Sequence, residues 1–283
     1  MQNTNLSNLK EIAASLSDAY KANAEALISR MEEVIEGIGD EPIRWKPSIL
    51  KLVQGTTDRS NIPKGTGIGD FVLGEAKLEK PLAFIPLRLM EGRQYWSPDK
   101  DEAKMICSSP DGKLGYIGNY CAQCPHAKFD EVARKSECGK TQTLMAIMPD
   151  LSDIFLVTFS KTGYKVGLEL KTIMSRAAVP LFKRVYSLDS ETNKEHKNVE
   201  NYCVNVLDAD KRNTNVEIVP FLQELFNLIT ADRKASVDKF HELTLARKQQ
   251  RVIEAPKSDN VVMLEDSSSE ENPVSDLAKN YQV

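Results

Sequence analysis

The stretch CSSPDGKLGYIGNYCAQCPHAKFDEVARKSEC, residues 107–138, holds four of the five cysteines of this chain. Their spacing is C-x13-C-x2-C-x13-C, with a Cys-Ala-Gln-Cys-Pro turn at the centre. Two cysteines separated by two residues can ligate one ion from a single turn, and the outer two can reach it once the chain folds back. The spacing therefore predicts a closed structural zinc (Zn2+) site formed by Cys107, Cys121, Cys124 and Cys138.

Two alternatives to this ligand set stay open at the level of the sequence. The same cysteines could form disulfides, but no secretory signal opens the chain, so we expect a reducing cytoplasm in which disulfides are rare. His126, two residues after Cys124, could replace one thiol as a ligand. Because a closed shell leaves no position for a substrate, we expect the metal to stabilise the fold and not to catalyse a reaction.

Composition and charge limit the function further. No apolar run reaches the roughly eighteen residues that a membrane span needs, so we expect no membrane contact. The net charge of -4 comes from the last 28 residues, which carry six acidic residues against two lysines and leave 35 acidic and 35 basic residues elsewhere. None of the three histidines lies in a recognisable catalytic motif, so the chain is predicted not to be an enzyme.

Hydrophobic spacing divides the chain into helical ends and a strand-rich middle. Residues 5–35 repeat apolar side chains every three or four positions, which predicts one long amphipathic helix or a helical pair. In the middle, one helix (GLELKTIMSRAA) interrupts a series of strands. The predicted strands are ILKLVQG, LAFIPLRLM, KMICSS, the hairpin TLMAIM–DIFLVTFS and the hairpin LFKRVYSLDSET–NVENYCVNVLDA.

This order predicts an α+β protein, an OB-fold-like β-barrel with a zinc-binding insertion. The predicted divisions are an N-terminal helical arm (1–40), an OB-like domain (41–215) with the insertion at about 105–140, C-terminal helices (216–253) and an acidic tail (254–283). The tail is rich in serine and acidic residues and nearly lacks aromatic ones, so it is predicted to be disordered.

OB-folds bind single strands through a basic groove and exposed aromatic side chains on which bases stack. Basic and aromatic residues alternate on or beside the predicted strands, although any aromatic one could instead belong to the core. The predicted nucleic-acid-binding residues are Trp45, Arg93, Tyr95, Trp96, Lys161, Lys183, Arg184 and Tyr186.

The sequence combines the helical arm, the OB-like strand order, the YWSPDKDEAKMICSSPDGKLGY stretch, the CAQCP turn and the acidic tail. With this combination of features, the chain resembles the single-stranded DNA-binding proteins of tailed bacteriophages. The resemblance implies non-specific, cooperative coating of single-stranded DNA during replication and recombination in the host cytoplasm, while self-association stays open. It also implies a tail that recruits replication or recombination proteins. The chain departs from that family in its all-cysteine ligand set, and from bacterial proteins of like function in its last residues, Asn280-Tyr281-Gln282-Val283.

A second hypothesis is a zinc-ribbon transcription or replication accessory factor that binds a polymerase and touches nucleic acid little. The balanced charge outside the tail fits this hypothesis. Salt-dependent binding to oligo-dT separates the two, because a strand-coating protein releases counterions and an adaptor need not.

Overall fold

The computed structural model describes residues 2–32, 34–35, 43–44, 46–54, 57, 60, 62–97, 104–132, 136–176, 179–192, 202–207 and 212–254. Trp45 lies outside these residues, and so do residues 255–283 of the predicted tail.

The described residues form four α-helices: α1 (Gln2–Ala14), α2 (Asp18–Glu32), α3 (Tyr164–Arg176) and α4 (Val219–Glu254). Ser15 ends α1, since its hydroxyl donates to the carbonyl of Ile12 at 2.7 Å. Asp18 then places an acid in the first turn of α2, where the helix dipole favours it. The N-terminal pattern is therefore a helical pair. The C-terminal pattern is one helix of 36 residues.

The strands of the described residues are β1 (Val34–Ile35), β2 (Ile43–Arg44), β3 (Ser48–Leu52), β4 (Phe71–Leu73), β5 (Ala76–Leu78), β6 (Leu82–Trp96), β7 (Met105–Ser109), β8 (Cys138–Ile147), β9 (Ile154–Phe159), β10 (Tyr186–Thr192) and β11 (Tyr202–Leu207). The main sheet has the order β11-β10-β6-β8-β9-β3-β4-β5, with β7 beside β6. The sheet is mixed, because β3 runs parallel to β9 while β8–β9 and β10–β11 are antiparallel hairpins. It is strongly curled into a half-barrel.

The chain divides into two compact units. Unit 1 consists of Met1–Met90 and Thr141–Asp232, and unit 2 consists of Glu91–Lys140 and Arg233–Val283. The chain passes from one unit to the other within β6, β8 and α4. Unit 2 thus contains the predicted insertion together with the distal part of α4.

Unit 1 has two hydrophobic cores, one on each face of its sheet. Neighbouring side chains of a strand point to opposite faces, and Phe84 and Ile85 accordingly enter different cores. One core packs α1, α2 and proximal α4 against Ile85, Leu87 and Ile147. The other packs α3 against Phe84 and the remaining strands. Burial of both sheet faces fixes the register of the strands.

The α+β class, both hairpins and the central helix are confirmed. The predicted strand beginning at Leu181 is wrong in its first residues, because Leu181–Lys183 form a 3-10 helix and β10 begins at Tyr186. Pro180 carries a fixed φ and its carbonyl accepts the amide of Lys183 at 3.0 Å, which closes a turn there. None of the described helices is long and apolar enough to span a membrane.

Candidate functional site

The four cysteines of the C-x13-C-x2-C-x13-C pattern line one cavity inside unit 2. Cys107 lies on β7, Cys138 begins β8, and Cys121 and Cys124 lie on the turns between these strands. Cys121 and Cys138 are buried, each only 6% exposed. Folding therefore brings to one place four thiols that span 32 residues of the sequence.

The central Cys-x2-Cys turn is held by backbone hydrogen bonds on both sides. The amide of Cys121 donates to the Lys113 carbonyl at 2.7 Å, and the amide of Cys124 donates to the Cys121 carbonyl at 3.4 Å. The 3-10 helix Pro125–Ala127 follows directly, and its Ala127 amide donates to the Cys124 carbonyl. The turn that the sequence predicts therefore forms, and both of its thiols face the cavity.

Cys107 is positioned by the loop that follows it. The backbone of Tyr116 and Ile117 lies against its thiol and lowers the pKa of that thiol, while the Tyr116 amide donates to the Ser108 carbonyl at 2.9 Å. Gly115 makes this approach possible, because a Cβ at that position would lie 2.9 Å from Cys107 Sγ. The glycine leaves the space that the sulfur occupies.

Burial dominates the electrostatics of the cavity. It raises the pKa of Cys107, of Cys121 and of Cys138, the last to about 11, because a thiolate loses its hydration there. Neighbouring cysteines raise these pKa values further, while Arg93 lowers those of Cys121 and Cys138. Burial therefore favours the protonated form of these three thiols, and a divalent cation would have to displace protons to bind.

The donor set suits zinc, since four thiols are free of disulfides and line one cavity. Within the described ranges, however, no three His, Cys, Asp or Glu side chains converge closely enough to form a preassembled metal site. The thiols would have to close onto an ion. Zinc binding by Cys107, Cys121, Cys124 and Cys138 stays a prediction.

His126, the alternative ligand, lines the same cavity. Its Nδ1 lies 2.5 Å from Glu137 Oε2, and its ring stacks on Tyr95 with centroids 4.5 Å apart. Burial, followed by the charge of Glu137, raises the pKa of Tyr95. A carboxylate that holds one imidazole nitrogen is the usual support of a histidine ligand, so the alternative stays open.

The predicted nucleic-acid-binding residues are divided between the two units. In unit 2, Arg93 and Tyr95 line the cysteine cavity, and Arg93 donates to the carbonyls of Ala127 and Cys138, each at 3.4 Å. Both residues thus support the cysteine segment. Trp96, the next residue along β6, is 38% exposed and available for stacking.

In unit 1, Lys161 and Lys183 are exposed on 3-10 turns and Arg184 is half-buried. The assignment of Tyr186 to the binding surface is wrong. Its ring is 1% exposed and stacks on Phe84 at 5.9 Å in the hydrophobic core. A base cannot reach it, because the alternation of β10 turns this side chain inward.

Sequence reasoning left two exposed aromatic residues out of the predicted surface. Tyr120 is 53% exposed and Phe129 is 66% exposed, both on the cysteine segment. The exposed lysines Lys113 and Lys128 lie near them in sequence. The signal was available, since a short polar segment with few large aliphatic residues has little core in which to bury a ring.

No family model, no curated protein and no solved structure matches this chain. Its fold and site define an α+β protein with a curled mixed sheet and a cavity lined by four cysteines.

Proposed function

We propose that this protein binds single-stranded DNA without sequence specificity and acts in DNA replication or recombination. The observation that carries the proposal is the exposure of three aromatic side chains in unit 2, Trp96, Tyr120 and Phe129. Contiguous patches of exposed apolar side chains mark interaction sites, and these three rings belong to one compact unit. Bases are suitable partners, since each has a π-face, and one stack contributes about 1–3 kcal/mol.

Charge in the same unit supports the proposal. Lys104, Lys113 and Lys128 are exposed and can pair with phosphates. Although the chain outside its last 28 residues is electrically balanced, exposed lysines in the same unit as the exposed rings would provide non-specific contact with a single strand.

The finer details of the fold belong to the same proposal. The half-barrel is compatible with an OB-like barrel, and the cysteine segment would be its zinc-binding insertion. Zinc, when bound, would supply four metal–thiolate bonds in place of a hydrophobic core. The acidic tail would recruit replication or recombination proteins, as the family resemblance implies.

The test is a titration of fluorescent oligo-dT at low and moderate salt. Trp96→Ala, Tyr120→Ala and Phe129→Ala should each weaken binding by about 5- to 150-fold, which corresponds to one lost stack. Lys128→Ala should instead lower the salt slope by about 0.7, which corresponds to one phosphate contact.

Matched controls come from unit 1. Val216, an exposed apolar residue, and Lys10, an exposed lysine of α1, lie outside the proposed surface. Val216→Ala and Lys10→Ala should leave both the affinity and the salt slope unchanged. The proposal is wrong if the wild-type chain binds oligo-dT with no salt dependence, or if the aromatic variants match the controls.

A polymerase-binding accessory factor is the second candidate function, and a specific observation favours it. Unit 2 also exposes three aliphatic side chains, which do not provide a ring for base stacking: Val132 at 96%, Ile106 at 39% and Ile117 at 37%. Such residues suit a protein partner. Two results together would favour this function: the chain captures a polymerase and Val132→Ser weakens that capture, and the chain has negligible affinity for oligo-dT at low salt.

A further inference from the structure

The distal part of α4, from Arg233 onward, contacts the cysteine segment along one helix face. Arg233 Nη2 donates to the Pro110 carbonyl at 2.8 Å, and Lys248 Nζ donates to the Gly118 carbonyl at 3.1 Å. Between them, His241 Nε2 lies 3.2 Å from Asp111 Oδ2. Helical residues seven or eight positions apart share a face, so the three contacts form a row about 22 Å long.

All three contacts end on the loop that joins Cys107 to Cys121. Asp111 uses its other carboxylate oxygen to accept the Lys113 amide at 2.9 Å and the Ser109 hydroxyl at 3.3 Å. Ser109 lines the same cavity as Cys121 and lowers the pKa of that thiol. A continuous series of contacts therefore joins His241 of the helix to one predicted zinc ligand.

Lys248 supports the position of Cys107, the other predicted ligand at the ends of this loop, through Gly118 and Gly115. Its aliphatic carbons lie against Gly118, where a Cβ would be 3.2 Å from Lys248 Cδ. The Gly118 amide donates to the Gly115 carbonyl at 2.8 Å, and Gly115 faces Cys107 Sγ. The helix thus supports the turns that place both Cys107 and Cys121.

The middle contact is unlike the other two. His241 Nε2 is buried and makes no hydrogen bond within the described residues, although Asp111 lies within ion-pair distance. A buried polar nitrogen without a well-aligned acceptor costs free energy. This contact therefore depends on how the 107–121 loop is held, and a metal on Cys107 and Cys121 would hold that loop.

We propose that Asp111, His241 and Lys248 are positioning residues for the cysteine site, so that metal binding and docking of the distal part of α4 are coupled. The metal fixes the 107–121 loop, and the fixed loop holds the helix. By thermodynamic reciprocity the docked helix raises metal affinity by the same factor. This inference rests on the proposed zinc site.

The test measures hydrogen exchange of the full chain, loaded with zinc or stripped by a chelator. Stripping should speed exchange at least tenfold in peptides from residues 241–254, while peptides from α3 in unit 1 keep their rates. Lys248→Ala should speed exchange at the same peptides with the metal still bound. It should also weaken zinc binding by about 3- to 10-fold, less than the roughly 10- to 100-fold of groups that bond a ligand directly, because Lys248 acts through Gly118.

Lys234→Ala is the matched control, because Lys234 is an exposed lysine of the same helix outside the row of contacts. It should change neither exchange nor zinc affinity. Zinc binding with equal exchange in both forms, or equal effects of Lys248→Ala and Lys234→Ala, would overturn the coupling alone. Absence of zinc from the wild-type chain would overturn the metal site and the coupling together.

Discussion

Replacing Gly115 by alanine probes the cysteine site through a single carbon atom. The added Cβ would lie 2.9 Å from Cys107 Sγ and 3.4 Å from the Asn119 carbonyl oxygen. Ordinary contacts begin near 3.4 Å, so the sulfur must retreat by about 0.5 Å. This shift moves the Cys107 thiol away from the backbone of Tyr116 and Ile117, whose proximity lowers its pKa.

The size of the effect follows from how metal ligands are supported. Losing a group that orients a ligand lowers metal affinity by about 10- to 100-fold, or about 1.4–2.7 kcal/mol. We expect the zinc dissociation constant of Gly115→Ala to rise by this factor. Gly139→Ala is the control, because its Cβ would lie 3.9 Å from the Gln94 carbonyl beside Cys138. The zinc affinity of the Gly139→Ala variant should stay within about twofold of that of the wild type, because this substitution causes no clash.

The assay is competition for zinc against a chromophoric chelator at neutral pH, with thermal melts to verify that both variants are folded. Equal dissociation constants for the two variants, measured on a wild-type background that binds zinc, would refute the reasoning. So would a Gly139→Ala variant that loses as much affinity as Gly115→Ala.

Three further predictions concern the metal, the tail and the core of unit 1. Because burial raises the pKa of Cys107, Cys121 and Cys138, the last to about 11, zinc affinity should rise with pH between about 6 and 8. Calorimetry in two buffers should detect the released protons, and a pH-independent affinity would contradict this prediction. Deleting residues 256–283 should tighten oligo-dT binding at low salt, because six acidic residues no longer compete with phosphates, and the gain should shrink once the Debye length falls below about 8 Å. Equal affinity at every salt would leave partner recruitment as the tail's role. Gly167→Ala should lower the melting temperature by about 2–8 °C, because its Cβ would lie 2.8 Å from Gln142 Cβ and 2.9 Å from Phe159 Cβ. Gly163→Ala is the control, since its Cβ would meet nothing within 4 Å. Equal melting temperatures of the two variants would exclude the clash.

The sequence by itself determined the features that depend on neighbouring residues. Periodicity and turn residues located the N-terminal helical region, α3 and the two hairpins, whereas the break between α1 and α2 was left open. The Cys-x2-Cys turn was predictable for the same reason, since its hydrogen bonds join residues a few positions apart. These patterns are readable because local backbone geometry and side-chain spacing encode them directly.

Tertiary structure alone decided which face each residue presents and which distant residues meet. Tyr186 and Trp96 both lie on strands, yet one ring is buried against Phe84 and the other is exposed. Likewise, nothing in the sequence pairs Lys248 with Gly118, 130 residues away. Such contacts arise from strand register and helix packing, which bring residues together through the summed burial of whole faces and leave no local signature.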